Sequence, residues 1–316
     1  MRWIIFTTLL LAIAGLAGWF FSRPGAEQLN RADALYSLNS KAVQVAQDLS
    51  FANHPRLSLD IWTPADTPPD ASLPVLVFFY GGSWYFGEKH QYGFLARAYT
   101  ELGYIVVLPD YRLYPDVRFP EMARDAAAAI AWTHDNIADH GGDPGSIVIA
   151  GHSAGAYNAL MAALDPQWLA AHGKNTDIIR GVTSLAGPAD FYPFTSEAAQ
   201  NSFGEAPDPE ATQPISFARA DAPPLLLLSG TEDTTVRPRN SEALQARMEA
   251  TGGQSRYIGY DGVDHSDIIM AVSRPFRNRA PVLEDSHDFF RSVLDPSQGL
   301  AGDLAQKKSG TKALTH

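Results

Sequence analysis

The period of the hydrophobic positions changes several times along this chain, and each change marks an element. Leu57, Leu59 and Ile61 interleave with Ser58 and Asp60, so the spacing predicts a half-exposed strand near a sheet edge. Thr63 to Pro74 is a proline-rich turn, and Val75 to Tyr80 (VLVFFY) is then a continuous apolar run, as expected of a strand covered on both faces. Similar strands are read at Ile105 to Leu108, Ile147 to Ala150, Val182 to Leu185, Leu225 to Leu228 and Arg256 to Tyr260. Between them His90 to Leu102, Phe119 to Ile137, Ala154 to Leu164 and Arg239 to Ala250 are helical in period. A last helix, Val282 to Leu294, turns Leu283, Phe289, Phe290 and Val293 inward and Asp285, Asp288 and Arg291 outward. Short apolar runs alternating with helices predict an α/β architecture, a mostly parallel sheet with helices on both faces.

The flanks have a different character. Met1 and Arg2 precede an uncharged run from Trp3 to Ser22. Residues 1–22 therefore read as a secretory signal, cut after small residues such as Gly15 or Ala17, or as an uncleaved membrane anchor. Either way the only positive charges ahead of the run are Arg2 and the amino terminus, which sends the rest of the chain across the membrane. The expected location is periplasmic or extracytoplasmic, secreted or tethered through residues 1–22. Residues 23–44 read as a connector, 45–295 as one domain, and 296–316 as a polar, disordered tail carrying Lys307, Lys308 and Lys312.

Composition narrows the chemistry. The 316 residues are 45% hydrophobic and 19% charged, enough to bury a full sheet in one domain. A net charge of −11 leaves no basic field for nucleic acid. With no cysteine, disulfides, a thiolate nucleophile and thiolate zinc sites are excluded.

GHSAG, Gly151 to Gly155, follows the strand ending at Ala150 and opens the helix from Ala154. A serine hydroxyl is a weak nucleophile, and a sharp strand-to-helix turn presents its oxygen to both base and substrate. At Ser153 the Ala154 N–H and the helix dipole also point at charge developing on an attacked carbonyl. YGGSW, Tyr80 to Trp84, ends the run VLVFFY. Its glycines leave backbone donors unobstructed, so Gly81 and Gly82, with Ser83 as a further donor, join Ala154 as the expected oxyanion hole.

A serine nucleophile needs a base and an acid, and the strand–turn–helix setting of Ser153 resembles the nucleophile elbows in which both follow the serine along the chain. LLLLSG is followed by TEDTTV, which puts Asp233 on a loop at a strand end, with Glu232 as its rival; the shorter side chain is more easily held there. RYIGY is followed by DGVDHSD, which puts His265 on the next loop, flanked by Asp264 and Asp267. A histidine base predicts a rate that falls as acid protonates it. His54, His90, His134, His140 and His172 fall in loops or exposed helix positions, His287 lies in the last helix, and His152 beside Ser153 reads as a supporting residue. No paired metal-ligand spacing such as HExxH occurs.

YGGSW, DYRLYP (Asp110 to Pro115), RFP (Arg118 to Pro120), GGDP (Gly141 to Pro144), GHSAG, GTEDTTV and GVDHS together resemble, in this order, the carboxylesterases of the α/β-hydrolase fold. The similarity extends over roughly residues 49–294. It points to the hormone-sensitive-lipase-like and feruloyl or acetyl-xylan esterase-like branch, with likeness to prenylcysteine methylesterases and kynurenine formamidases. The resemblance implies Ser153, Asp233 and His265 as catalytic residues, no cofactor, and a small-molecule ester as substrate. Those families carry histidine where this chain has Tyr80, which puts the oxyanion-loop geometry in question. Trp84, Tyr85 and Phe86 beyond that loop read as an aromatic pocket wall, with Trp84 and Tyr85 as substrate-binding residues. The stretch between Leu185 and Leu225 is too short for a large lid, which favours short-chain or aromatic esters. Rival readings are an amide or peptide hydrolase, arylformamidase-like or aminopeptidase-like, and a catalytically dead membrane-anchored binding protein.

Overall fold

The computed structural model describes residues 25–68 and 70–295. Readings made on residues 1–22 and 296–316 lie outside the described residues. Among the described residues no helix is long and apolar enough to cross a membrane.

A sheet of eight strands runs in the order β1-β2-β4-β3-β5-β6-β7-β8. These are β1 (Ala42–Ser50), β2 (Ser58–Pro64), β3 (Leu73–Phe79), β4 (Ile105–Pro109), β5 (Gly142–His152), β6 (Ile179–Leu185), β7 (Leu225–Gly230) and β8 (Ser255–Tyr260). β2 pairs antiparallel with both β1 and β4, and every pairing from β4 through β3 to β8 is parallel. The continuous apolar runs sit in the middle because only there are both faces covered: Val75, Leu76, Val77, Ile105, Val106, Ile147, Val148 and Leu226 are wholly buried.

The helices are α1 (Gly25–Tyr36), α2 (Gly93–Thr100), α3 (Glu121–Asn136), α4 (Ala154–Leu164), α5 (Gln167–Ala170), α6 (Glu197–Phe203), α7 (Arg239–Thr251), α8 (Asp267–Met270) and α9 (Val282–Leu294). Every residue of α4 is buried, which suits its sequence, apolar all round with alanines that admit close neighbours. α9 buries Leu283, Phe289, Phe290 and Val293 as its spacing predicts, and its Asp285 accepts a 2.8 Å hydrogen bond from the Tyr260 hydroxyl.

Two readings of the amino-terminal third change. Residues 23–44 carry α1 and the start of β1, and α1 is docked by Leu29 and by buried Asp33, which accepts from Arg97 Nε at 2.8 Å. The strand read as half-exposed at 57–61 is β2, whose Asp60 is only 2% exposed. Asp60 tolerates burial because Lys89 Nζ lies 2.9 Å away and the Asp48 N–H donates to it at 3.0 Å.

All the parallel strands deliver their carboxyl ends to one edge of the sheet. Tyr80, Ser153, Asp233 and His265 follow β3, β5, β7 and β8 there, where open α/β sheets place their sites.

Candidate active site

Ser153 stands between β5 and α4 with φ 52° and ψ −121°, a conformation that costs a side chain of order 1–3 kcal/mol. The turn is held by a 2.9 Å bond from the Ser153 N–H to the Leu185 carbonyl, and the Ser153 carbonyl accepts from the Tyr157 N–H at 3.1 Å. Its tightness explains the flanking glycines. A Cβ on Gly151 would lie 2.4 Å from the Gly155 carbonyl carbon, and one on Gly155 2.1 Å from the Phe79 oxygen.

Ser153 Oγ lies 2.9 Å from His265 Nε2, and His265 Nδ1 lies 2.7 Å from Asp233 Oδ2. The other Asp233 oxygen accepts from the Thr235 and Val236 N–H groups at 2.9 and 2.8 Å. A carboxylate so used only accepts, so His265 Nδ1 carries the proton and Nε2 presents its lone pair to the serine hydroxyl. Asp233 is 3% exposed, whereas Glu232 faces solvent. The two loops are stitched together by bonds from the Thr231 N–H to the Tyr260 carbonyl, 2.9 Å, and from the Glu232 N–H to the Val263 carbonyl, 3.0 Å. Asp264 caps the turn after His265, accepting from the Ser266 and Asp267 N–H groups at 2.8 Å each; Asp267 pairs with Arg279.

His152 has a defined job. Its Nε2 lies 3.0 Å from the His265 carbonyl, an acceptor only, so Nε2 carries the proton. Burial, reinforced by the neighbouring His265 ring, pushes the His152 pKa down to about 3, and the imidazole stays neutral. Among the described residues no cluster of three or more histidines and carboxylates could hold a metal ion.

The loop from Tyr80 to Gly87 crosses the front of Ser153. A Cβ on Gly81 would lie 3.1 Å from the Ser153 Cβ, and Gly82 adopts φ 138°, where a Cβ would strike the Phe86 oxygen at 2.0 Å. Among the described residues the Gly82, Ser83 and Ala154 N–H groups have no hydrogen-bond partner, while the Gly81 N–H is turned to the Tyr92 hydroxyl. Trp84, read from sequence as pocket wall, is buried instead among Tyr157, Phe191 and Phe203, with ring centroids 5.4, 6.2 and 4.7 Å away. It anchors the loop. Tyr85 is half-buried and bonded to Asn201, and Phe86 is 64% exposed. Arg56 and Tyr92, both in contact with this loop, carry no motif and were not singled out by sequence.

Fold and site geometry together define an α/β-hydrolase. The chain belongs to the BD-FAE family, whose model matches residues 59–248. It is 33% identical over 264 residues to Esterase LipQ of Mycobacterium tuberculosis, covering 78% of this chain and 62% of that protein. It is 27% identical over 248 residues to Isoprenylcysteine alpha-carbonyl methylesterase ICME of Arabidopsis thaliana, covering 72% of this chain and 58% of that one. The chain thus spans about three-fifths of the length of these relatives. Among solved structures, a truncated carbohydrate esterase from gut microbiota superposes with TM-score 0.69 at 20% identity, covering 81% of this chain and 96% of that one. Esterase 2 of Thermogutta terrifontis gives 0.66 at 23% identity, covering 77% and 93%. Both share the fold.

Proposed function

We propose that this protein is a serine carboxylesterase acting on short-chain or aromatic carboxylic esters through an acyl-enzyme. The observation that carries the reading is the continuous contact from Asp233 through His265 to Ser153, beside the Gly82, Ser83 and Ala154 N–H groups, which have no hydrogen-bond partner among the described residues. The esterase names of its relatives support the same reaction class.

In this reading His265 Nε2 takes the Ser153 proton as the oxygen attacks the ester carbonyl, and Asp233 fixes the imidazole and stabilises the imidazolium. The tetrahedral oxyanion is held by the Ala154, Gly81 and Gly82 N–H groups, with Ser83 beside them. The imidazolium then protonates the leaving alkoxide. Water, deprotonated by His265, attacks the acyl carbon and releases acid and free serine. This sequence uses no cofactor. Half-buried Tyr85 and exposed Phe86 supply the aromatic edge of the entrance, with Trp84 behind them.

The charge pattern of residues 1–22 supports an extracytoplasmic location, secreted or tethered. The activity is tested by hydrolysis of p-nitrophenyl acetate against p-nitroacetanilide. Ester turnover that vanishes in Ser153→Ala supports the reading, and preferential anilide cleavage moves the protein to the amide hydrolases.

A further inference from the structure

The oxyanion loop is strained and therefore has to be held. Gly82, Ser83, Trp84 and Gly87 all have positive φ, 138°, 55°, 61° and 113°, and for Ser83 and Trp84 such values persist only where the surroundings over-determine them. Trp84 is held by its aromatic neighbours and by a 2.8 Å bond from the Tyr114 N–H to its carbonyl. The two ends of the loop are held by a different device.

Arg56, from the turn between β1 and β2, reaches beneath both ends. Its Nη2 donates to the Gly87 carbonyl at 2.6 Å and to the Tyr80 hydroxyl at 3.1 Å, and its Nε donates to the Tyr111 carbonyl at 2.7 Å. The Tyr80 hydroxyl in turn donates a hydrogen bond to Asp110 Oδ1 at 2.9 Å. Asp110 is fixed in turn by the Lys89 N–H at 2.9 Å. The Tyr80 ring is clasped between Tyr111 and Tyr92, with centroids 4.7 and 5.6 Å away, and the Tyr111 hydroxyl donates to the Tyr80 carbonyl at 2.8 Å. Tyr92 meets the Gly81 N–H. One guanidinium thus ties the first and last residues of the loop to each other, and it uses the fork geometry that lysine lacks.

We propose that Arg56, acting through the Tyr80 hydroxyl and the Gly87 carbonyl, is a positioning residue that sets the oxyanion loop for the transition state. The inference rests on the esterase reading above. Arg56 and Tyr80 touch no reacting atom; they fix where the Gly82 and Ser83 N–H groups stand. Releasing the clamp weakens binding of the developing oxyanion more than binding of the uncharged ester. The loss falls on kcat, with KM nearly unchanged.

The test compares Tyr80→Phe, Arg56→Lys and Arg56→Ala with the native full chain. The readouts are p-nitrophenyl acetate kinetics, inhibition by an alkyl trifluoromethyl ketone, and thermal unfolding. The ketone adds the serine oxygen to its carbonyl carbon and leaves its own oxygen as the anion in the hole, the serine proton passing to histidine. Misplacing donors by about 1 Å costs about a hundredfold, so Arg56→Ala lowers kcat about a hundredfold and Tyr80→Phe about tenfold, with Arg56→Lys between native and Arg56→Ala. KM stays within about twofold, and ketone affinity falls in step with kcat/KM. Unchanged kcat and unchanged ketone affinity, whatever the melting temperature, overturn the clamp. If Arg56→Ala does not fold, Tyr80→Phe decides, since it keeps the stacked ring and removes one hydroxyl. An inert native protein refutes the esterase reading itself; an active native protein with variants equal to it refutes only the clamp.

Discussion

The imidazole of His152, next in sequence to Ser153, holds the main chain of His265 by a 3.0 Å hydrogen bond to its carbonyl. The turn carrying Ser153 and the loop carrying the proposed base are thereby fastened together by a side chain that burial keeps neutral. Its pKa near 3, against an ordinary 6.5, has a thermodynamic sign. Unfolded chain takes up the proton below about pH 6.5 and folded chain does not, so stability is full above that pH. Below it stability falls by about 1.4 kcal/mol per unit until the folded pKa is reached. Denaturant unfolding at pH 7 and pH 5 should show this loss in the native protein and a smaller one in His152→Gln. Equal losses in both would remove His152 from the account.

Asp233 and Glu232 are neighbours with opposite exposures, which makes them separable. Asp233→Asn should leave the fold intact and lower kcat by about 10⁴, because an amide at that position favours the wrong histidine tautomer. Glu232→Gln should stay within about twofold of native. Comparable losses in the two variants would contradict the assignment of the acid.

The proposed short-chain preference rests on how the segment between β6 and β7 is tied down. Gln213 Oε1 accepts from the Phe191 and Tyr192 N–H groups at 2.7 and 3.2 Å, and Asn240 Oδ1 accepts from the Ala189 and Asp190 N–H groups at 3.0 Å each. The segment's Phe191 and Phe203 pack on Trp84 and Tyr157, and in the proposed reading this packing leaves little room for a long acyl chain. Hydrolysis of p-nitrophenyl butyrate should exceed that of the palmitate by more than about tenfold. A profile that peaks at long chains would refute the short-chain reading.

Lys89 and Asp60 form a buried pair 2.9 Å apart, with side chains 5% and 3% exposed. Replacing the lysine alone strands the carboxylate, so Lys89→Met should cost about 3–5 kcal/mol in urea unfolding. A loss under about 1 kcal/mol would mean that Asp60 is satisfied without it.

The central strands were legible because burial on both faces leaves uninterrupted apolar runs such as VLVFFY and LLLLSG. β1 was not. At the sheet edge its AVQVAQDLS exposes Val43 and Val45 and half-buries Gln44 and Ala46, so no apolar face alternates with a polar one. The alternation at 57–61 reads as half-exposed because Lys89, the partner that lets Asp60 be buried, lies 29 positions away, beyond any local period. The residues brought together at the carboxyl edge share a topological marker: Ser153 directly follows β5, and Asp233 and His265 stand on the loops that leave β7 and β8. Arg56 had no such marker. Its partners Tyr80, Gly87 and Tyr111 are 24, 31 and 55 residues distant, and only the folded chain joins them. Trp84 looked like pocket wall because sequence cannot tell which way a loop aromatic turns.

The most direct test is covalent. Native protein and Ser153→Ala are treated with a fluorophosphonate, and intact mass and peptide mapping are then read. The account predicts one phosphonyl adduct, on the peptide carrying Ser153, formed together with loss of p-nitrophenyl acetate hydrolysis, and neither event in the variant. An adduct elsewhere, or equal hydrolysis by both proteins, would contradict Ser153 as the nucleophile.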